Sequence, residues 1–109
     1  MKNIGVLISG GGSNLQTIID AVEKGDISAR ISLVISSYKG AYGLERAKQH
    51  GIPSITITKG DYNDGQFFSR AILEHLEKHK VDIVVLAGYL NILPHEVVEK
   101  YKNNIINIH

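Results

Sequence analysis

The sequence predicts an α/β fold: a Rossmann-like, doubly wound, mostly parallel sheet in the strand order 3-2-1-4-5. Three observations carry that expectation. Short runs rich in Ile and Val alternate with segments of helical periodicity along the whole chain. A glycine turn, Gly10-Gly11-Gly12, separates the first apolar run from the first helical segment. The run Val81–Ala87 is apolar enough for a strand covered on both faces. Strands that alternate with helices form parallel sheets with right-handed crossovers. In such sheets ligands bind beyond the carboxyl ends of the strands, where the strand order reverses. Here that point lies between strands 1 and 4.

Each element has its own signal. Residues 4–9 form a short apolar run stopped by the three glycines. Ser13-Asn14-Leu15-Gln16 reads as a capping box, Ser13 accepting from the Gln16 amide, and Leu15, Ile18, Ile19 and Val22 follow at helical spacing. Lys24-Gly25 ends that helix. Residues 31–35 are a β-branched second strand. Residues 43–50 make a short helix with Leu44 and Ala47 inward, closed by Gly51. Residues 53–57 form a third strand, whose proline suits a strand start or an edge. Asn63 or Asp64 caps a longer helix with Phe68, Ala71, Ile72, His75 and Leu76 on one face. Residues 81–87 are the fourth, central strand. Pro94 suits the first position of a helix ending near Tyr101. Asn103-Asn104 turns the chain into a fifth strand, residues 105–108.

The bulk properties narrow the function classes. A chain of 109 residues indicates one domain and can bury roughly two-thirds of its unfolded surface. Apolar residues are 43% and charged residues 21%, ordinary values for a globular domain. A formal net charge of +1 offers no field for nucleic acid or an anionic membrane. With no cysteine there is neither a disulfide framework nor a thiolate metal site, which fits a cytoplasmic location. The amino-terminal apolar run breaks into glycines too early for a signal segment or a membrane span.

Two places carry chemistry. At Gly10–Asn14, small residues let the backbone approach a ligand, and the free amides of a helix start favour an anion, so a phosphate is the natural guest. Position 15 is Leu15, not the third glycine of a dinucleotide fingerprint, and Ser13 stands where the Walker pattern needs lysine. The competing reading is a tight turn leading into a capped helix, with no ligand. At the other end, Asn107 and His109 alternate onto one face of the fifth strand, with Cα atoms roughly 7 Å apart, and Ile106 and Ile108 onto the other. An amide can hold a carbonyl oxygen, and an imidazole can move a proton near neutral pH; strands also simply end in polar residues. His75 and His79 have the i, i+4 spacing of metal ligands, but no third ligand accompanies them and a solvated helix face is expected. His50 and His95 read as surface or partly packed groups.

These motifs together resemble the phosphoribosylglycinamide formyltransferase family. The residues concerned are Ile8-Ser9-Gly10-Gly11-Gly12-Ser13-Asn14-Leu15-Gln16, Gly43-Leu44-Glu45-Arg46-Ala47, Leu86-Ala87-Gly88-Tyr89-Leu90-Asn91-Ile92-Leu93 and Asn107-Ile108-His109, the last matching the start of an Asn-x-His-Pro-Ser motif. They follow the family's order and spacing across the whole chain. The resemblance implies transfer of a formyl group from 10-formyltetrahydrofolate to the amine of glycinamide ribonucleotide, in purine biosynthesis, with no metal. It implies that Gly12, Ser13 and Asn14 cradle the substrate phosphate. Leu90, Asn91, Ile92 and Leu93 line the pterin pocket, joined by Asn107. Asn107 also bonds the formyl oxygen, and His109 stabilises the oxyanion and assists proton transfer. The sequence departs from the pattern at Gly65 and Asn91, where relatives carry arginine. The family's catalytic aspartate comes later than His109. Residues 1–109 are therefore expected to be the amino-terminal, phosphate-binding portion of a formyltransferase domain, truncated and inactive alone. The other readings are a methionyl-tRNA formyltransferase or formyltetrahydrofolate hydrolase, a non-catalytic nucleotide-phosphate binding module and, last, a dinucleotide-dependent oxidoreductase. Against the last stands Ser36-Ser37, where an acidic residue should end strand 2. Exposed strand edges would invite self-association, so a homodimer is among the expectations.

Overall fold

The computed structural model describes residues 1–108, and His109 lies outside the described residues. The elements run β1 (Lys2–Ile8), α1 (Ser13–Glu23), β2 (Ala29–Ser36), α2 (Tyr42–Gln49), β3 (Ser54–Thr56), a 3-10 turn (Lys59–Asp61), α3 (Gly65–Lys78), β4 (Ile83–Ala87), α4 (His95–Lys100) and β5 (Ile105–Ile108). The five strands form one sheet in the order β3-β2-β1-β4-β5, and all four pairings are parallel. The predicted fold class and strand order are those observed.

Helices cover both faces. On one, Leu15, Ile18 and Ile19 of α1 and Ala47 of α2 pack on Ile4, Val6, Ile8, Val34 and Val85. On the other, Phe68, Ile72 and Leu76 of α3 and Val97 and Tyr101 at α4 pack on Leu7, Leu33, Ile35 and Val84. Period-two alternation along β1 therefore feeds two cores rather than one core and solvent. β2 changes phase on the way. The register slips between Ile4 and Gly5, which pair with Ile31 and Leu33, so Ser32 is the extra residue. Ile31 and Val34 consequently share a face, while Leu33 and Ile35 share the other. The Ser32 hydroxyl is buried in that irregularity without a hydrogen-bond partner among the described residues.

Four local expectations need correction. The capping box does not form: α1 is entered through Gly12, in a left-handed conformation at φ 76°, with no side chain capping the helix. The Gln16 amide donates instead to the Gly12 carbonyl at 2.8 Å. Glycine lets the backbone make this entry unaided, which frees the Ser13 and Gln16 side chains. Pro94 is the N-cap of α4, not its first residue. β4 begins at Ile83, because the Val81 amide closes the end of α3 by donating to Leu76 at 3.0 Å. β3 keeps only Ser54–Thr56, although the Pro53 carbonyl still accepts from Val34 at 2.9 Å. Asp64 does cap α3, accepting from Gln66 at 2.8 Å.

Candidate functional site

The carboxyl ends of β1, β4 and β5 lie side by side, because β4 pairs with both β1 and β5. Each delivers one of the segments singled out in the sequence: Gly10–Asn14 after β1, Gly88–Leu93 after β4, and Asn107 within β5. A serine joins the first two. The Ser9 hydroxyl, almost buried at the end of β1, accepts from the Leu90 amide at 2.9 Å and also bonds the Ser37 hydroxyl beyond β2. One side chain thus ties together the ends of three strands. The sequence places Ser9 inside the Ile8–Gln16 motif but gives no sign of this bracing contact.

In the glycine loop, Gly12 is half-buried, Ser13 is exposed as the first residue of α1, and Asn14 is half-buried. With no side-chain cap and no acidic residue in the first turn, the opening amides of α1 are left for solvent or a ligand. α2 holds the loop from behind. The Gly43 amide donates to Gly10 at 3.1 Å, and a methyl group on Gly12 would sit 2.8 Å from the Gly43 Cα. A side chain on Gly43 would in turn strike Ile8. The two glycines are therefore a matched pair, and the role of Gly43 was not foreseen. Arg46 was also missed. Its Nε donates to the Gly11 carbonyl at 2.7 Å and its Nη1 to the Gln16 amide oxygen at 3.2 Å. Those contacts span 35 and 30 positions, so helical periodicity carries no sign of them.

The segment after β4 divides. Leu90 and Ile92 are 84% and 91% exposed, far beyond any core position, whereas Leu93 and Tyr89 pack against the α3/α4 core. Asn91 is half-buried. Burial pushes the Tyr89 hydroxyl above its ordinary range, an effect that the neighbouring Asn91 side chain partly offsets. Asn107 is exposed, in register with Leu86. Ile106 and Ile108 face the α1 side of the sheet together, so alternation sets Asn107 toward the opposite side with Ile105. His109, its expected partner, lies outside the described residues. Gly65 opens α3.

Elsewhere, His79 is held below the ordinary imidazole range by burial, then by Lys78 and His75. Among the described residues no three His, Asp or Glu side chains gather to hold a metal. No helix among them is long and apolar enough to cross a membrane.

At this open edge of the doubly wound sheet, an uncapped helix start, two exposed apolar side chains and an exposed carboxamide come together, at the place where such sheets bind small molecules. The class follows from the match of residues 2–109 to the formyl transferase family: the chain belongs to that family. The chain is 47% identical over its whole length to a phosphoribosylglycinamide formyltransferase of Haemophilus influenzae, spanning 51% of that protein. Against the one from Escherichia coli it is 40% identical over 98% of the chain and 50% of the relative. Among solved structures, glycinamide ribonucleotide transformylase 1 from Symbiobacterium toebii superposes with a TM-score of 0.95, at 41% identity, over the whole chain and 51% of that structure. The chain thus spans about half the length of the curated relatives it matches.

Proposed function

We propose that residues 1–109 are the amino-terminal, phosphate-binding portion of a phosphoribosylglycinamide formyltransferase domain, acting in purine biosynthesis. The reaction is transfer of a formyl group from 10-formyltetrahydrofolate to the amine of glycinamide ribonucleotide. One observation carries the reading: the Ser9–Leu90 hydrogen bond draws the glycine loop and the exposed apolar segment to one edge, beside the strand that bears Asn107.

The backbone amides at the start of α1, with the Ser13 hydroxyl and the Asn14 carboxamide, hold the substrate phosphate. Leu90, Ile92 and Leu93, with the Asn91 backbone, form an apolar wall that excludes water. Two large side chains left almost fully exposed at a site edge fit a flat ring system. When bound, the folate supplies the activated formyl group. Asn107 donates from its amide nitrogen to the formyl oxygen and so favours the charge that gathers there when the amine attacks. Losing one such donor costs on the order of 10² to 10³ in rate. His109, two residues on in sequence, stabilises the same oxygen and moves the proton released by the amine. The amine itself is the nucleophile, so no reactive side chain is consumed.

Calorimetric titration of the chain with glycinamide ribonucleotide tests the phosphate site, with Ser13→Ala as the comparison. The reading requires saturable binding that weakens in the variant. A folded chain that takes up no ligand, or a variant that binds as well as the parent, would overturn it.

A further inference from the structure

Arg46 stands out because nothing in the formyl-transfer reading employs it. It is half-buried between α2 and the glycine loop. Both of its hydrogen bonds go to neutral acceptors, the Gly11 carbonyl and the Gln16 side chain. Its guanidinium lies 5.1 Å from the centre of the Tyr42 ring. Among the described residues it has no carboxylate partner, since the ion pairs there involve Lys39, His50, His95 and Lys100. A charge that surface chemistry would pair is instead spent on a loop carbonyl.

The consequence is directional. A loop that is to present amides to an anion must turn its carbonyl oxygens elsewhere, because an inward carbonyl repels the ligand. Arg46 pulls the Gly11 carbonyl toward α2, and the Gly43 amide does the same for Gly10. The carbonyls of Gly10 and Gly11 are thus tied back on the α2 side, leaving the opening amides of α1 for the anion. Gln16, anchored also to Asp20 and lying 3.4 Å from His50, holds the guanidinium in its fork geometry.

We propose that Arg46 is a positioning residue for phosphate recognition. It fixes the glycine loop through the Gly11 carbonyl, so that the Gly12–Asn14 backbone is set for an anion before one arrives. This deepens the phosphate-site reading above and rests on it. Preorganisation of this kind raises affinity by sparing the ordering cost at binding.

The test compares the chain with Arg46→Gln and Arg46→Lys, each first shown to be folded by its thermal transition. Titrations use glycinamide ribonucleotide and the corresponding riboside lacking the phosphate, and ¹⁵N relaxation reports backbone order at Gly10–Asn14 without ligand. Arg46→Gln should raise the dissociation constant for the nucleotide about tenfold, as expected for a lost charge-assisted bond. Riboside binding should be unchanged, and the loop order parameters should fall. Arg46→Lys should not restore either, because its single ammonium lacks the planar fork that reaches the Gly11 carbonyl and Gln16 at once. Equal weakening of nucleotide and riboside would reduce Arg46 to a general brace and overturn the proposal, as would full rescue by lysine. If the parent binds no nucleotide, the functional reading fails separately. The ligand-free order parameters then decide for Arg46, and a loop as rigid in Arg46→Gln as in the parent would overturn its role.

Discussion

Gly12 shows how tightly single residues constrain this site. Its left-handed backbone and its contact with Gly43 both exclude a side chain: a Cβ would meet the Gly43 Cα at 2.8 Å, and backbone there cannot yield as a side-chain tip can. Gly12→Ala should cost roughly 1–2 kcal/mol for the backbone conformation alone, and more for the clash. Chemical denaturation would read the loss, and the anion site should be distorted with it. Sequence reasoning found the glycine turn but assigned the helix cap to Ser13. A Ser-x-x-Gln pattern is a capping box only if the preceding residue leaves the entry to it, and Gly12 does not. The contacts of Ser9 and Arg46, both inside motifs the sequence had marked, were illegible for a different reason. Each acts through a partner dozens of positions away, and no local period encodes such a contact.

At the scale of elements, the alternation of apolar runs made the strands and their two-sided burial legible, and helix spacing placed all four helices. The ends were less legible, because tertiary hydrogen bonds decide them; β4 starts late since Val81 is used to close α3. That junction carries a testable electrostatic signature. The Tyr101 hydroxyl at the end of α4 donates to the Val81 carbonyl at 3.1 Å, a bond only the neutral phenol makes. Burial, then Glu77 and Asp82, hold its proton above the ordinary tyrosine range. A folded-state value raised above the unfolded one, about 10, gives stability that is complete below that pH and lost as pH rises through the folded value. Tyr101→Phe should therefore cost about 1 kcal/mol near neutrality. It should also flatten the decline in urea midpoint between neutral and strongly alkaline pH. A variant whose midpoint falls with pH as steeply as the parent's would contradict this assignment.

For the molecule as a whole, the radius of gyration of 12.8 Å matches the ~13 Å expected of a compact chain near this length. Compactness does not extend to every face. Beside β5, which pairs only with β4 among the described strands, Ile106 is 51% and Ile27 39% exposed. They border a recess of about 330 Å³ that Ile4, Ile18, Ile83 and Ile108 also line. Apolar surface on a sheet edge favours association. Sedimentation should show self-association of the 109-residue chain that grows with concentration and that Ile106→Lys weakens; an unchanged association constant would place the contact elsewhere. The central claim concerns the opposite, carboxyl edge, where the sequence already marked Gly12–Asn14, Leu90–Leu93 and Asn107 and the fold sets the three segments at the ends of adjacent strands. It is tested most directly by following the backbone amide resonances of the ¹⁵N-labelled chain as glycinamide ribonucleotide is added. Saturable shifts concentrated at Gly11–Gln16, reproduced at those amides by inorganic phosphate at higher concentration, are the predicted result. Saturable shifts that spare those amides and cluster elsewhere, or none at all, would contradict the account.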